Sequence, residues 1–414
     1  MENSPYRFGR LCLPAVVALL LAWRPPPLCA QEDKGFTLPE VVSQVLAVHP
    51  LTQAARARVQ GALGLVRQAQ AYPNPTFAFA NNNFALERTY GLTQPFEWPF
   101  KRAYRVGVAQ ADEQITEGEQ EGARQDVIAA AREAFFTVLL AQEGERVAAT
   151  FAQATRRLRG STEKLFQEGD IAEFEVIKAR VEALRAETDL GKAQGQLQTA
   201  RSGLNLLLGR AEQSPLVLAG SLLTARPVRP LAELLSAAEE RNPLLAVQRR
   251  TVEREQLNLK LARTALLPDV SVDVTHGEDR QTGRVAPLLG LSFSFPLWDR
   301  KEGATEAARH KVAEAEATLR ATQLQVHQAV LAAYSNWQIA RDQADAFAKG
   351  LVVQAEQAAT LAEQSYREGA GDLLGVLDAQ RSLLTVRRDY AQALFAVQMA
   401  WAAAERAVGV GTEQ

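Results

Sequence analysis

The sequence predicts a mostly α-helical chain of very long, thin helices carrying four β-strands, which form part of a small membrane β-barrel that other copies must complete. Three observations predict it. The stretch 101–168 contains no proline and reads as one helix far too long for a compact globule. Four strand-length segments alternate apolar and polar residues at period two, as half-buried strands do. The order of helices, strands and breaks in the first half of the chain then recurs in the second.

Composition points the same way. Hydrophobic residues make up 47% of the 414 residues but aromatics only 7%, which favours thin helix–helix packing over a thick core. The net charge of -2 leaves no basic stripe interleaved with aromatics, so no nucleic-acid partner is expected. No run after the first thirty residues reaches the eighteen or so apolar residues of a membrane helix. A membrane-embedded part would therefore have to be built from strands.

Taken in order, residues 1–30 read as a signal peptide. Arg7 and Arg10 give it a basic start, Leu11 to Trp23 an apolar centre, and Leu28-Cys29-Ala30 a cleavage site. Cys29 is an alternative lipidation site, although Leu28 and two prolines precede it where small residues are preferred. Both cysteines fall in this segment, so the mature chain would have no disulfide and no thiolate metal site. Thr37 can cap a short helix with Pro39 and Glu40 in its first turn. His49-Pro50 breaks that helix, and the next runs from Leu51 to Ala71. Strands are expected at 76–86 and 89–98, then the long helix 101–168, a turn at Gly169-Asp170, and a returning helix 171–208. Gly209, Pro215, Gly220 and Pro227 mark an irregular strap over 210–229.

The same order follows from Pro230. A short helix ends at Asn242-Pro243, and a second spans Leu244 to Leu266. Strands occupy 269–276 and 284–295, a long helix 300–368, and a returning helix 372–408, with 410–414 a tail. Pro50 and Pro243 are 193 residues apart, as are Pro75 and Pro268, while Gly169 and Gly369 are 200 apart. Offsets this consistent argue for two repeats, 31–209 and 230–409.

The second strand pair alternates most cleanly. Val270, Val272 and Val274 oppose Ser271, Asp273 and Thr275, and Leu289, Leu291, Phe293 and Phe295 oppose Ser292 and Ser294. That dyad suits a membrane barrel with a wet interior, though a soluble β-sandwich alternates likewise. Four strands cannot close a barrel, since the smallest has about eight; three chains would supply twelve. The helix 101–168 would span roughly 100 Å. The helices 171–208 and 244–266 together nearly match it, so the return is expected in two pieces. By the same arithmetic, 372–408 would be completed by 51–71.

At this point the chain resembles the TolC-type outer-membrane factors, and within them the cobalt–zinc–cadmium (CzcC-like) efflux branch. The residues that carry the resemblance are Tyr72-Pro-Asn-Pro75, the block TYGLTQPFEWPFKR (89–102), and the paired tips EGDIAEFEVIKAR (168–180) and EGAGDLLGVLDAQ (368–380). It covers roughly residues 36–409. The resemblance implies a homotrimer with a twelve-stranded barrel in the outer membrane of a Gram-negative cell and a helical tunnel through the periplasm. It implies a periplasmic adaptor (membrane fusion) protein and an inner-membrane pump of the RND type as partners, outer-membrane lipid around the barrel, and no enzymatic chemistry or cofactor.

The resemblance also makes the tips the periplasmic entrance and the place of adaptor contact. Gly169 and Gly369 suit left-handed helix ends, and Asp170 and Asp372 suit caps of the helices that follow. Asp378 matches a family position where an acidic side chain faces the narrowed tunnel, so three copies would form a carboxylate ring. A second acidic family position is Gly375 here, which puts a double ring in doubt. The first tip has Glu175 and Lys178 at the corresponding places, and Lys178 can pair with Asp378 to lock the tip; simple solvated charge is the plainer alternative.

Tyr90, Phe96, Trp98, Phe293, Phe295 and Trp298 are candidates for aromatic girdles at the membrane boundary, with a buried junction the plainer reading of Trp298. Lys101, Arg102, Arg300 and Lys301 follow the strand exits, where lipid headgroups or plain solvent would receive them. His49, His276, His310 and His327 are too scattered for a metal site. Nucleophile, nucleotide and dinucleotide motifs are missing, so an enzyme is not expected. The reading is a passive exit duct for heavy-metal cations. A drug or organic-solute duct, a protein-secretion duct and, in another class, a soluble periplasmic coiled-coil scaffold are its competitors.

Overall fold

A computed structural model of the chain describes residues 35–81, 86–224, 229–279 and 282–409. The expected signal peptide 1–30, with Cys29, and the tail 410–414 lie outside the described residues, as do 225–228 of the strap.

The chain opens with α1 (Leu38–Val48) and α2 (Pro50–Gln70). The Glu40 carboxylate accepts from the Thr37 N–H at 2.8 Å and from its hydroxyl at 2.9 Å, and these bonds hold its pKa below the ordinary value. His49 is more than a break. Its Nδ1 accepts from the Leu51 N–H at 3.2 Å, so it caps α2 while Pro50, which has no N–H to satisfy, starts that helix. Asn242 does the same between α5 (Leu231–Arg241) and α6 (Pro243–Thr264), accepting from Leu244 at 2.9 Å.

Strands β1 (Thr76–Asn81) and β2 (Leu86–Phe96) precede α3 (Pro99–Glu168); β3 (Asp269–Asp279) and β4 (Val285–Ser294) precede α7 (Glu302–Ala346). They form one antiparallel sheet in the order β1-β2-β3-β4. The central ladder joins the two halves of the chain, with Thr93 opposite Asp273 and Leu92 opposite Val274. Among the described residues, β1 and β4 each keep an edge that no other strand pairs.

The helices pack side by side as a wall. α3 packs against α2, α4 (Glu173–Leu207), α6 and α9 (Leu373–Val408), and α7 packs against α6 and α9. The expected pairing of half-length helices is exchanged. The end of α4 meets the end of α1, next to the start of α2, where Gln44 Nε2 donates to the Leu208 carbonyl at 3.3 Å and Gly209 lies against Val48. The end of α9 meets the start of α6, where Asn242 Nδ2 donates to the Ala407 carbonyl at 2.8 Å. Lengths of 35 and 21 residues in one column and 36 and 22 in the other show why length alone did not decide the partners. Across the wall the order is therefore α4/α2, α3, α9/α6, α7.

The second long helix is not continuous. A π-helical turn, Phe347–Leu351, separates α7 from α8 (Val352–Arg367), and no residue of 345–354 is buried. Ala344 above and Ala355 below are buried again. No proline marks the turn in the sequence, so hydrophobic pattern alone misses it. Beside it, the strap crosses the wall. Phe36 bridges Leu218, and Phe135, Phe136, Leu204 and Leu216 close a core beneath.

Candidate functional site: the tips and the sheet face

Both tips turn through the same motif. At the first, Gly169 has φ 87°, its N–H donates to Phe166, and the Asp170 N–H reaches back to the Leu165 carbonyl at 3.0 Å. At the second, Gly369 has φ 71° and the Ala370 N–H reaches Ser365 at 2.9 Å. Left-handed backbone costs a side chain 1–2 kcal/mol or so, which glycine avoids.

The helix starts differ. Asp372 caps α9, its carboxylate accepting from Gly375 N–H at 3.0 Å. A Cβ at 375 would lie 2.9 Å from that carboxylate oxygen, so the glycine belongs to the cap. Asp170, expected to cap α4, does not. The helix begins at Glu173, two residues later than the glycine turn suggested, and Ala172 occupies the cap position. Glu173 and Glu175 in its first turn offset the missing cap by meeting the positive helix end.

Leu158, Ala179, Leu373, Val376 and Leu377 form the tip core, and burial among them pushes the Tyr366 phenol above its ordinary pKa. Lys178 and Asp378 are not joined. Lys178 sits over the Phe174 ring at 4.3 Å, and Asp378 is exposed. The ion pair linking α4 and α9 is one turn further from the tip, between Glu182 and Arg381. Arg381 Nε donates to Glu182 Oε1 at 2.8 Å, and a second guanidinium nitrogen takes the other oxygen. The Glu182 side chain is 6% exposed and that of Arg381 46%, so the carboxylate depends on this partner. That hydrogen bond chiefly raises the Arg381 pKa further above its normal value. Sequence reading missed the pair because its members are 199 residues apart and lie outside the tip motifs.

The sheet has two unlike faces. Tyr90, Leu92 and Phe96 share one with Val270, Val272, Val274, Leu289, Leu291 and Phe293. Phe77 and Phe79, not singled out from the sequence, extend it through β1; their period-two spacing was the available signal. Tyr90, Leu92, Phe96, Leu289, Leu291, Phe293 and Phe295 are all exposed in the single chain. The opposite face carries Ala78, Gly91, Thr93, Ser271, Asp273, Thr275, Gly290 and Ser292.

At the sheet's base, Trp98 Nε1 donates to the Pro268 carbonyl at 2.9 Å, and Lys101 pairs with Asp269 at 2.8 Å. Arg102 reaches the Gln70 carbonyl and stacks on Tyr72, so these two cations are tied to protein. Trp298 is not a buried junction. It is 94% exposed, three residues before Lys301, which precedes α7 with a left-handed φ of 55°. Arg300 is exposed, and Lys301 pairs with Asp299.

Among the described residues no helix is long and apolar enough to cross a membrane, and no group of three His, Cys, Asp or Glu is placed to hold a metal ion. A helical wall with an apolar-faced sheet at one end and two hairpin tips at the other is the arrangement to be matched. The family model described as outer membrane efflux protein matches residues 41–210 and 234–410. The chain belongs to the outer membrane efflux protein family. It is 29% identical to the cobalt-zinc-cadmium resistance protein CzcC of Cupriavidus metallidurans, over 97% of this chain and 99% of that one. It is 27% identical to the nickel and cobalt resistance protein CnrC of the same species, over 78% and 79%. The outer membrane protein VceC of Vibrio cholerae shares the fold, with a TM-score of 0.75 at 20% identity over 91% of this chain and 97% of that one. As in other members of this efflux family, the chain is an outer-membrane channel component and not an enzyme.

Proposed function

We propose that three copies of this chain assemble into the exit duct of a tripartite efflux system for heavy-metal cations. The observation that carries the assembly is the unfinished wall. Among the described residues β1 and β4 leave one edge each unpaired, and such edges are satisfied by a neighbouring strand. The outermost columns also present unpartnered apolar residues. On α4 these are Phe174, Ile177, Val181 and Leu184, and across the wall Leu324, Ile339, Leu351 and Leu361 on the α7–α8 side. Joining the edge of one copy to the opposite edge of the next closes a ring. Three copies give twelve strands, with the aromatic face toward lipid and the small-residue face inward.

The two halves, 31–209 and 230–409 around the strap 210–229, act as repeats of the wall. Tyr90, Phe96, Trp98, Phe293 and Phe295 then belong to the membrane girdle. The tips, with Gly169, Asp170, Glu175, Lys178, Gly369, Asp372 and Asp378, form the periplasmic entrance that a periplasmic adaptor engages. An inner-membrane pump of the RND type supplies the energy. The Glu182–Arg381 pair holds the tip helices together at rest, and the adaptor separates them.

The resistance functions in the names of CzcC and CnrC support a metal cargo. A strain lacking the protein is challenged with cobalt, zinc, cadmium, nickel, copper and silver beside common drugs and bile salts, with a plasmid copy restored as control. Selective loss of growth on divalent metals is expected. Sensitivity to drugs alone would overturn the cargo and leave the duct.

A further inference from the structure

Among the described residues, the small-residue face of the sheet carries two carboxylates of β3, Asp269 and Asp273, and only the first is offset by a cation. Asp273 lies in β3, four residues above Asp269 and so roughly 13 Å up the strand. Asp269 is neutralised by Lys101 at 2.8 Å. Asp273 has no cation beside it among the described residues. Instead its Oδ1 accepts from the Thr93 hydroxyl of β2 at 2.6 Å, and its Oδ2 from the Ser292 hydroxyl of β4 at 2.9 Å. Two neutral donors on flanking strands orient the carboxylate and leave its charge in place.

The surroundings keep it open. Directly opposite on β4 stands Gly290, where a Cβ would lie 3.6 Å from the Cβ of Asp273. The same row continues through Thr93 on β2 and Thr76 on β1, and Gly91 and Ala78 stand in the adjacent row of this face. A carboxylate on the lipid side of a barrel is destabilising, so an apolar-out closure directs this face inward.

We propose that Asp273 is a charge-selectivity residue of the barrel lumen, its three copies forming a carboxylate ring that favours hydrated cations at the membrane end of the duct. The inference rests on the trimeric reading above. The ring is separate from Asp378 at the tips, because the whole length of α3 separates tip from sheet. Rings of acidic side chains select cations by lowering the field they must cross.

The test is the reversal potential of the purified full-length protein in planar bilayers under a potassium chloride gradient. The parent is compared with Asp273→Asn, Asp273→Glu and Asp378→Asn, each confirmed as an intact trimer by native mass. Asp273→Asn is expected to lower the potassium-over-chloride preference by about twofold or more. Asp273→Glu keeps the charge and should retain it, and Asp273→Asn should lower it further in the Asp378→Asn background. A parent that conducts, with an unchanged reversal potential in Asp273→Asn, overturns the ring and leaves the duct standing. A parent that forms no channel overturns the duct and the ring together.

Discussion

Asn242 shows how one side chain serves two boundaries. Its Oδ1 caps α6 by accepting from Leu244 and Leu245, while its Nδ2 holds the last turn of α9 through the Ala407 carbonyl. Asn242→Ala should cost about 1–2 kcal/mol, since loss of an N-cap alone reaches that range. The check is a lower guanidinium midpoint of the helical circular-dichroism signal. Its counterpart His49 was legible from the sequence only as half of a proline break, because capping by an imidazole nitrogen has no distinctive motif. Arg381 is the other residue that local pattern could not reveal. Arg381→Ala leaves the nearly buried Glu182 carboxylate without its cation, which weakens the closed tip. Each loss of about 1.4 kcal/mol is tenfold in the open-to-closed ratio. Single-channel recordings should therefore show open probability raised several-fold, and an unchanged value would remove the pair from the gate.

At the scale of elements, glycine and proline at matched offsets made the helix breaks legible, whereas the strand bounds differ from expectation: β1 ends at Asn81 instead of 86, Leu86 opens β2, and β3 runs on to Asp279. The long helix α3 begins at Pro99 and ends at Glu168, close to expectation, since proline is accepted at a helix start and Gly169 supplies the left-handed stop. The π turn between α7 and α8 was not legible, because one extra residue in a helix leaves composition unchanged. Which short helix continues which returning helix was also hidden, because the two choices differ by a residue or two in length. Contacts at Gly209 and Gly409 decide it, and local sequence does not record them. The outer face of α4 carries a prediction of its own. Leu184 is exposed in the single chain, so Leu184→Glu should leave the helical content of the protomer unchanged. At a buried subunit interface the same change forfeits about 1.5–3 kcal/mol per copy and adds an unpaired charge. Native mass should move from trimer to monomer. A trimer that tolerates the change would place this face outside the interface.

For the whole molecule, the proposed assembly completes both the sheet and the wall. Among the described residues the apolar face of the sheet has no partner, and its two edges remain open. Exposed aromatic and aliphatic residues in such a continuous patch mark a lipid or subunit contact. In the sequence the same feature shows as alternation over four strands, too few to close a barrel, which is why other copies are expected. How neighbouring copies would align is not legible there, because it would depend on edges and helix faces far apart in the chain. The central claim is that these copies meet as a closed trimer in the outer membrane. Native mass spectrometry of the protein extracted in detergent from washed outer membranes tests it most directly. A single species of three chains is the predicted result. A monomer, or a protein released from the membrane by carbonate washing before extraction, would contradict the account.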